Sequence, residues 1–123
     1  MQVFLKSREA AEPADARHFR GTARVSRTEA ASRPHVPIFR VEFEPGARTN
    51  WHTHSGVQIL LIIEGRGRVQ KWGEPVQEVD AGDTVSIAPG EKHWHGAARD
   101  ARMVHIAVNI DTTTTWMEPV EDD

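Results

Sequence analysis

Turn signals recur along this chain at short intervals. Glu44-Pro45-Gly46, Glu64-Gly65-Arg66-Gly67, Trp72-Gly73-Glu74-Pro75, Asp80-Ala81-Gly82-Asp83 and Ala88-Pro89-Gly90 punctuate the sequence, and Gly and Pro at such sites supply the backbone angles that reverse a chain. Between them lie short β-rich runs: Ile38 to Phe43, Val57 to Ile63, Gly67 to Lys71, Thr84 to Ile87 and Met103 to Asn109. Many short strands joined by tight turns form a sandwich or a barrel. No stretch after residue 36 sustains a helical apolar period, and the one helix-compatible segment, Ser7 to Phe19, is interrupted by Pro13. An all-β domain is expected, spanning residues 1–123 with a short N-terminal extension.

Strand parity assigns faces. Phe39, Val41 and Phe43 share one side of their run and Arg40 and Glu42 the other, so the aromatic side is expected inward. On Met103 to Asn109, Val104, Ile106 and Val108 read as core, while Met103, His105, Ala107 and Asn109 read as a pocket face. Val57 to Ile63 is apolar on both faces except at Gln58, as in a strand covered by a second sheet and a neighbouring subunit. Phe19 to Arg27 reads as an edge strand, Arg33 to Pro37 as an extended connector, Thr112 to Thr115 as a loop or exit strand, and the acidic tail past Met117 as loose.

Charge narrows the partners. Fifteen Lys and Arg against 18 Asp and Glu, net -3, leave no positive field for nucleic acid or an anionic membrane surface, so a small-molecule ligand or a protein partner is expected. The absence of cysteine excludes disulfides and thiolate metal sites. The longest apolar run, Ile59 to Ile63, is far below the ~20 residues that cross a bilayer, and the charged first twenty residues lack a secretory pattern, so a cytoplasmic location is expected. Four tryptophans without a basic stripe read as packing residues rather than a base-stacking platform.

The histidines carry the chemistry. His52, His54 and Gln58 are separated by even intervals and would look inward together from one extended segment. With His93 from a distant run they make a mixed nitrogen and oxygen set suited to a divalent first-row metal: manganese, iron, nickel, copper or zinc. A lone His-x-His is weak evidence, because strand-end histidines often serve local hydrogen bonds. His95 shares a face with His93 and reaches either the pocket or a turn, and His105 is either a pocket residue or a buried, backbone-bonded histidine. His18 and His35 read as surface or packing residues.

Two framed motifs carry a resemblance. Gly46, five residues, His52, one, His54, three, Gln58, six, Gly65 resembles the first cupin motif, with glutamine at the usual glutamate. Gly82, five residues, Ala88-Pro89-Gly90, two, His93 resembles the second, with Ala88 and Ala97 where the family has proline and asparagine. The resemblance covers roughly residues 38–110 and implies a double-stranded β-helix, or jelly-roll barrel. Within small cupins, Phe43 to Thr49, Trp51 to His54, Pro89 to Ala98 and Trp116-Met117-Glu118 resemble the bacterial manganese-dependent hydroxynitrile lyases.

That resemblance implies a homodimer or homotetramer in which His52, His54, Gln58 and His93 hold manganese or a similar ion and His95 and His105 act as pocket acid–base residues. It also implies an aromatic cyanohydrin, mandelonitrile for example, as the small-molecule substrate. Phe39 and Val41 stand at the expected pocket wall and Asn109 at the far end of its strand, positions where side-chain choice alters the substrate. An amide in place of a carboxylate leaves a bound ion more cationic and a better Lewis acid, which favours acid–base chemistry over oxidation. Two other classes stay open: a metal-dependent dioxygenase, which consumes oxygen, and a non-catalytic small-molecule-binding cupin. An isomerase or decarboxylating lyase acting on a keto acid would need a cation in the pocket, for which Arg40 and Arg48 serve only if strand parity is wrong.

Overall fold

The computed structural model describes residues 1–6 and 10–121. Its strands are β1 (Glu12–Pro13), β2 (Phe19–Arg20), β3 (Ala23–Ser32), β4 (His35–Phe43), β5 (Arg48–Thr49), β6 (His52–His54), β7 (Val57–Lys71), β8 (Gln77–Asp80), β9 (Thr84–Ile87), β10 (His93–Ala97), β11 (Met103–Ile110) and β12 (Thr114–Trp116). The hydrogen-bonded path runs β1-β3-β4-β11-β7-β10-β5-β2, with β8 and β9 also on β7 and the pair β6 and β12 reached through β10. The all-β expectation is met: no α-helix occurs among the described residues, and none is long and apolar enough to cross a membrane. Of the helix-compatible segment, residues 7–9 lie outside the described residues and the remainder is extended or turn.

Strand β7 joins the two layers. Its first part pairs with β9 and β11, its second with β8 and β10. The bend falls at Gly65, where φ is +75° and a side chain would run into the Arg102 carbonyl, so glycine is required on both counts.

Register decides where core ends and pocket begins. Met103 pairs with Phe43, His105 with Val41 and Ala107 with Phe39. The Phe43 end is filled by Ala23, Val41, Phe43, Ala47, Ile62 and Met103, with Phe43 and Met103 fully buried; each such large side chain contributes ~1.5–3 kcal/mol of burial. The Phe39 end opens into a cavity. The aromatic side of β4 is therefore inward as expected, and Arg40 and Glu42 pair at 3.7 Å on the outside.

Parity on β11 is corrected in part. Met103, His105, Ala107 and Asn109 are buried, the last three lining the cavity, whereas Ile106 and Val108 are half-exposed on the outer face with Val104 buried. A strand apolar on both sides gives no sign of which side is in, and a lumen devoted to histidines inverts the usual polarity. The N-terminal readings also change: Arg27 sits within β3, which pairs on both sides with β1 and β4, and His35 to Pro37 opens β4 rather than connecting strands. Thr114 and Thr115 belong to β12, an exit strand on β6. The C-terminal segment is anchored rather than loose: Val120, 7 % exposed, packs with Trp51 and Trp94, and Arg48 Nη2 donates to its carbonyl at 3.2 Å.

Candidate active site and metal centre

Five histidines meet at the open end of the barrel. The two expected to share a strand with Gln58 are placed differently: Ser55 and Gly56 break the extension, so His52 and His54 stand on β6 and Gln58 enters from β7. Gly56 allows the break, because a Cβ there would meet the Ile110 carbonyl at 2.7 Å. His93 pairs with His52 across β6 and β10, bringing their ring centroids to 4.2 Å. His93 and His95 point inward from β10, and Trp94 between them points to the opposite side, against Trp51 and Val120.

The donor atoms are oriented by groups behind them. His52 Nδ1–H donates to the Asn50 carbonyl at 2.8 Å and His93 Nδ1–H to the Glu91 carbonyl at 2.7 Å. A carbonyl only accepts, so both rings are fixed with Nε2 carrying a lone pair. The Gln58 amide donates through Nε2 to Asn109 Oδ1 at 2.8 Å, which turns its own Oε1 towards His54 Nε2 at 3.0 Å and His93 Nε2 at 3.4 Å. At His93 this sets lone pair against lone pair, an approach that a cation between them turns from repulsive to favourable. Thr114 Oγ1, 2.9 Å from His54 Nδ1, serves either tautomer of that ring.

Burial keeps these rings neutral. Desolvation is the largest cause of depressed basicity at all five, pushing His54 and His105 down to about 4 and lowering His52, His93 and His95. Neighbouring imidazoles add to it, His93 acting on His52 and His54 and His105 on His95. Neutral imidazole is the form that binds metal and accepts protons.

His52, His93 and His95 offer nitrogens that all lie within 4.8 Å of one another, a group able to hold a divalent metal. That compact trio differs from the set expected from sequence, in which His54 and Gln58 stand in place of His95. His95 has a different second neighbour: its Nδ1 lies 3.0 Å from His105 Nε2, while its buried Nε2 has no hydrogen-bond partner among the described residues. An orphaned Nε2 beside two oriented imidazoles fits a polar guest, metal or substrate.

Above the histidines the cavity encloses about 610 Å³ and is walled by Phe39, Val41, Ala107, Asn109 and Trp116, a size suited to a small organic molecule. Phe39, Val41 and Asn109 line this cavity; parity alone puts the first two on the inward side of β4 and Asn109 on the pocket side of β11. Arg40 and Arg48 face elsewhere, but Arg27, unmarked in the sequence, reaches the wall 5.1 Å from the Phe39 centroid and pairs with Glu29. His18 was also missed: it lines the cavity stacked on Trp116 at 4.4 Å, and no local spacing announces a ring brought in from the N-terminal extension. His35 lies outside, paired with Glu29 at 2.8 Å.

Comparison with known proteins agrees with this framework. Residues 39–109 match the family described as Cupin domain. Over its whole length, and 97% of the relative's, the chain is 41% identical to an (R)-mandelonitrile lyase of Granulicella tundricola. It is 36% identical to a cupin-like protein of Thermotoga maritima, covering 89% of this chain and 86% of that one with a TM-score of 0.85. The barrel alone is shared with a putative acetylacetone dioxygenase of Methylibium petroleiphilum: 12% identity, 98% and 87% coverage, TM-score 0.76. With the motif histidines brought together at the mouth of a two-layered β-barrel, and with relatives matching along the full chain, this protein belongs to the cupin family.

Proposed function

We propose that this protein is a metal-dependent hydroxynitrile lyase acting on aromatic cyanohydrins, cleaving mandelonitrile to benzaldehyde and cyanide or running the reverse addition. The observation that carries this reading is the full-length 41% identity to a mandelonitrile lyase together with a pocket whose buried titratable groups are neutral imidazoles. His52, His54, Gln58 and His93 would hold the ion, manganese by the resemblance drawn from the motifs, although the donors also suit iron, nickel, copper or zinc. When bound, such an ion supplies Lewis acidity to a hydroxyl oxygen beside it.

The protein's own groups manage the proton. With His95 Nδ1–H donating to His105 Nε2 at 3.0 Å, the open Nε2 of His95 accepts the cyanohydrin hydroxyl proton, and His105 shares the positive charge. The bond between carbinol carbon and nitrile carbon breaks, its electron pair leaves with cyanide, the carbinol oxygen becomes the aldehyde carbonyl, and His95 returns its proton to give hydrogen cyanide. The Phe43 ring, with centroids 6.3 Å from His95 and 5.2 Å from His105, backs the pair and excludes water. Phe39, Val41 and Asn109 bound the substrate.

We further propose a homodimer or homotetramer. Leu61, Ile63 and Ile110 are 39%, 39% and 40% exposed on the outer faces of β7 and β11, where Leu61 pairs with Ile106 and Ile59 with Val108. A contiguous apolar sheet face of this kind supports self-association.

The test is release of benzaldehyde and cyanide from mandelonitrile at mildly acidic pH, where the uncatalysed reaction is suppressed, comparing manganese-loaded protein with His93→Ala. Metal-dependent release by the parent alone is expected. No release by the loaded parent would refute the lyase, and substrate-dependent oxygen uptake would favour a dioxygenase.

A further inference from the structure

Three rings run in a pile from the metal centre towards the pocket mouth. The His52 ring centroid lies 4.6 Å from Trp116 with the planes 35° apart, and Trp116 lies 4.4 Å from His18 with the planes 5° apart. All three rings line the cavity, and Phe39 and Val41 line it from the other layer. The pile is assembled from three distant parts of the chain: His18 precedes β2, His52 opens β6, and Trp116 closes β12.

One residue ties the parts together, through both its backbone and its side chain. Asn50 is 5 % exposed. Its backbone N–H donates to the His18 carbonyl at 2.8 Å, and its carbonyl accepts from His52 Nδ1 at 2.8 Å. Its amide Nδ2 donates to the Arg17 carbonyl at 2.9 Å and the Met117 carbonyl at 3.4 Å. The residues carrying all three rings are thus bonded, directly or through an adjacent residue, to Asn50. His18 is further seated by a turn in which its N–H donates to the Asp15 carbonyl at 2.9 Å.

We propose that the His52, Trp116 and His18 pile is the wall that selects a flat, aromatic substituent on the substrate, with His18 the specificity-determining outer member and Asn50 the positioning residue. The substrate class rests on the lyase reading; the wall rests on geometry alone. Aromatic groups gain from offset or edge-to-face contact with other rings beyond the area they bury. A planar substituent entering between this pile and Phe39 makes such contacts, and a compact aliphatic one does not. The outermost ring is free to set specificity because it neither holds the ion nor moves the proton.

His18→Leu and His18→Phe test this in the full, metal-loaded chain, since leucine keeps the volume and removes the planar ring while phenylalanine keeps the ring. For mandelonitrile, His18→Leu is expected to raise KM about 3- to 10-fold, the scale of one aromatic contact, with kcat held. KM for acetone cyanohydrin should stay within about twofold of the parent, and His18→Phe should restore the aromatic preference. Asn50→Asp, which keeps the backbone bonds and loses the amide donors, is expected to shift the KM ratio in the same direction as His18→Leu. In parallel, ligand-observed NMR on zinc-loaded protein measures benzyl alcohol binding, which needs no turnover. Should the parent turn over neither cyanohydrin, the lyase reading falls while the NMR arm still decides the wall. Unchanged benzyl alcohol affinity in His18→Leu overturns the proposal, as does an unchanged KM ratio.

Discussion

Replacing Asn109 with leucine should weaken metal binding although Asn109 itself touches no ion. Gln58 is 4 % and Asn109 7 % exposed, and the single bond from Gln58 Nε2 to Asn109 Oδ1 at 2.8 Å determines which end of the amide faces His54 and His93. Without that acceptor the buried amide N–H groups lose their partner, at a cost of about 1–3 kcal/mol. The amide recovers it by rotating half a turn and donating to the imidazole lone pairs, which would remove the proposed oxygen ligand and occupy the nitrogens. Loss of such an orienting group costs about 10- to 100-fold in metal affinity, or ~1.4–2.8 kcal/mol. Asn109→Asp keeps an acceptor at the same place and should bind at least as tightly as the parent. Competition against a fluorescent chelator gives the dissociation constants for manganese and zinc directly, with Gln58→Leu run alongside. Affinity in Asn109→Leu within about twofold of the parent would refute the reasoning; if Gln58→Leu were equally unaffected, Gln58 would not be a ligand.

Acid should destabilise the metal-free protein before it reaches the carboxylate range. Unfolded histidines take up protons from about 6.5 downwards while buried His105 resists until about 4, so its contribution is complete above 6.5 and disappears as pH falls to 4. For His105 alone this is worth ~3 kcal/mol. Urea unfolding across that window should show the loss, His105→Phe should reduce it, and a parent stability independent of pH would contradict the desolvation account. Gly65→Ala, which strains φ and drives a methyl into the Arg102 carbonyl, should cost about 1–3 kcal/mol or more by thermal melting, against ~1 kcal/mol for Gly73→Ala, which meets open space. If the two variants melted together, close approach at the β7 bend would not be the cause. Leu61→Lys should lower the oligomer mass in sedimentation without loss of fold, and an unchanged mass would place the interface elsewhere.

The histidine pattern was legible because it is local. His52-x-His54 and His93-x-His95 each lie on one short strand, where alternation alone puts both rings on one face. Alternation likewise put Phe39 and Val41 on the inward side of β4 and Asn109 with His105 on β11, while the pocket-wall role of the first two came from the family resemblance. Gln58 was placed in the site for a wrong reason, since the strand breaks at Ser55-Gly56 and the amide returns from β7; the even interval agrees because both strands face the same lumen. On β11 parity grouped His105, Ala107 and Asn109 on the pocket side, but the opposite side, which read as core, is half-exposed at Ile106 and Val108 and forms part of the outer apolar face.

From sequence alone came the strand-rich character, the turn positions, the inward face of β4 and the imidazoles beside a distant third segment, all consequences of period-two geometry and turn chemistry within a few residues. Tertiary structure decided the rest. It turned Gln58 by means of Asn109, paired His95 with His105 across two strands, stacked His18 on Trp116, buried Val120 between Trp51 and Trp94, and made Asn50 the junction of both chain ends with a metal-site histidine. Apart from the local Asn50–His52 bond, those contacts join residues on different elements of the chain, and only the register of paired strands and the packing of the two layers brings such residues within hydrogen-bonding or ring-contact distance.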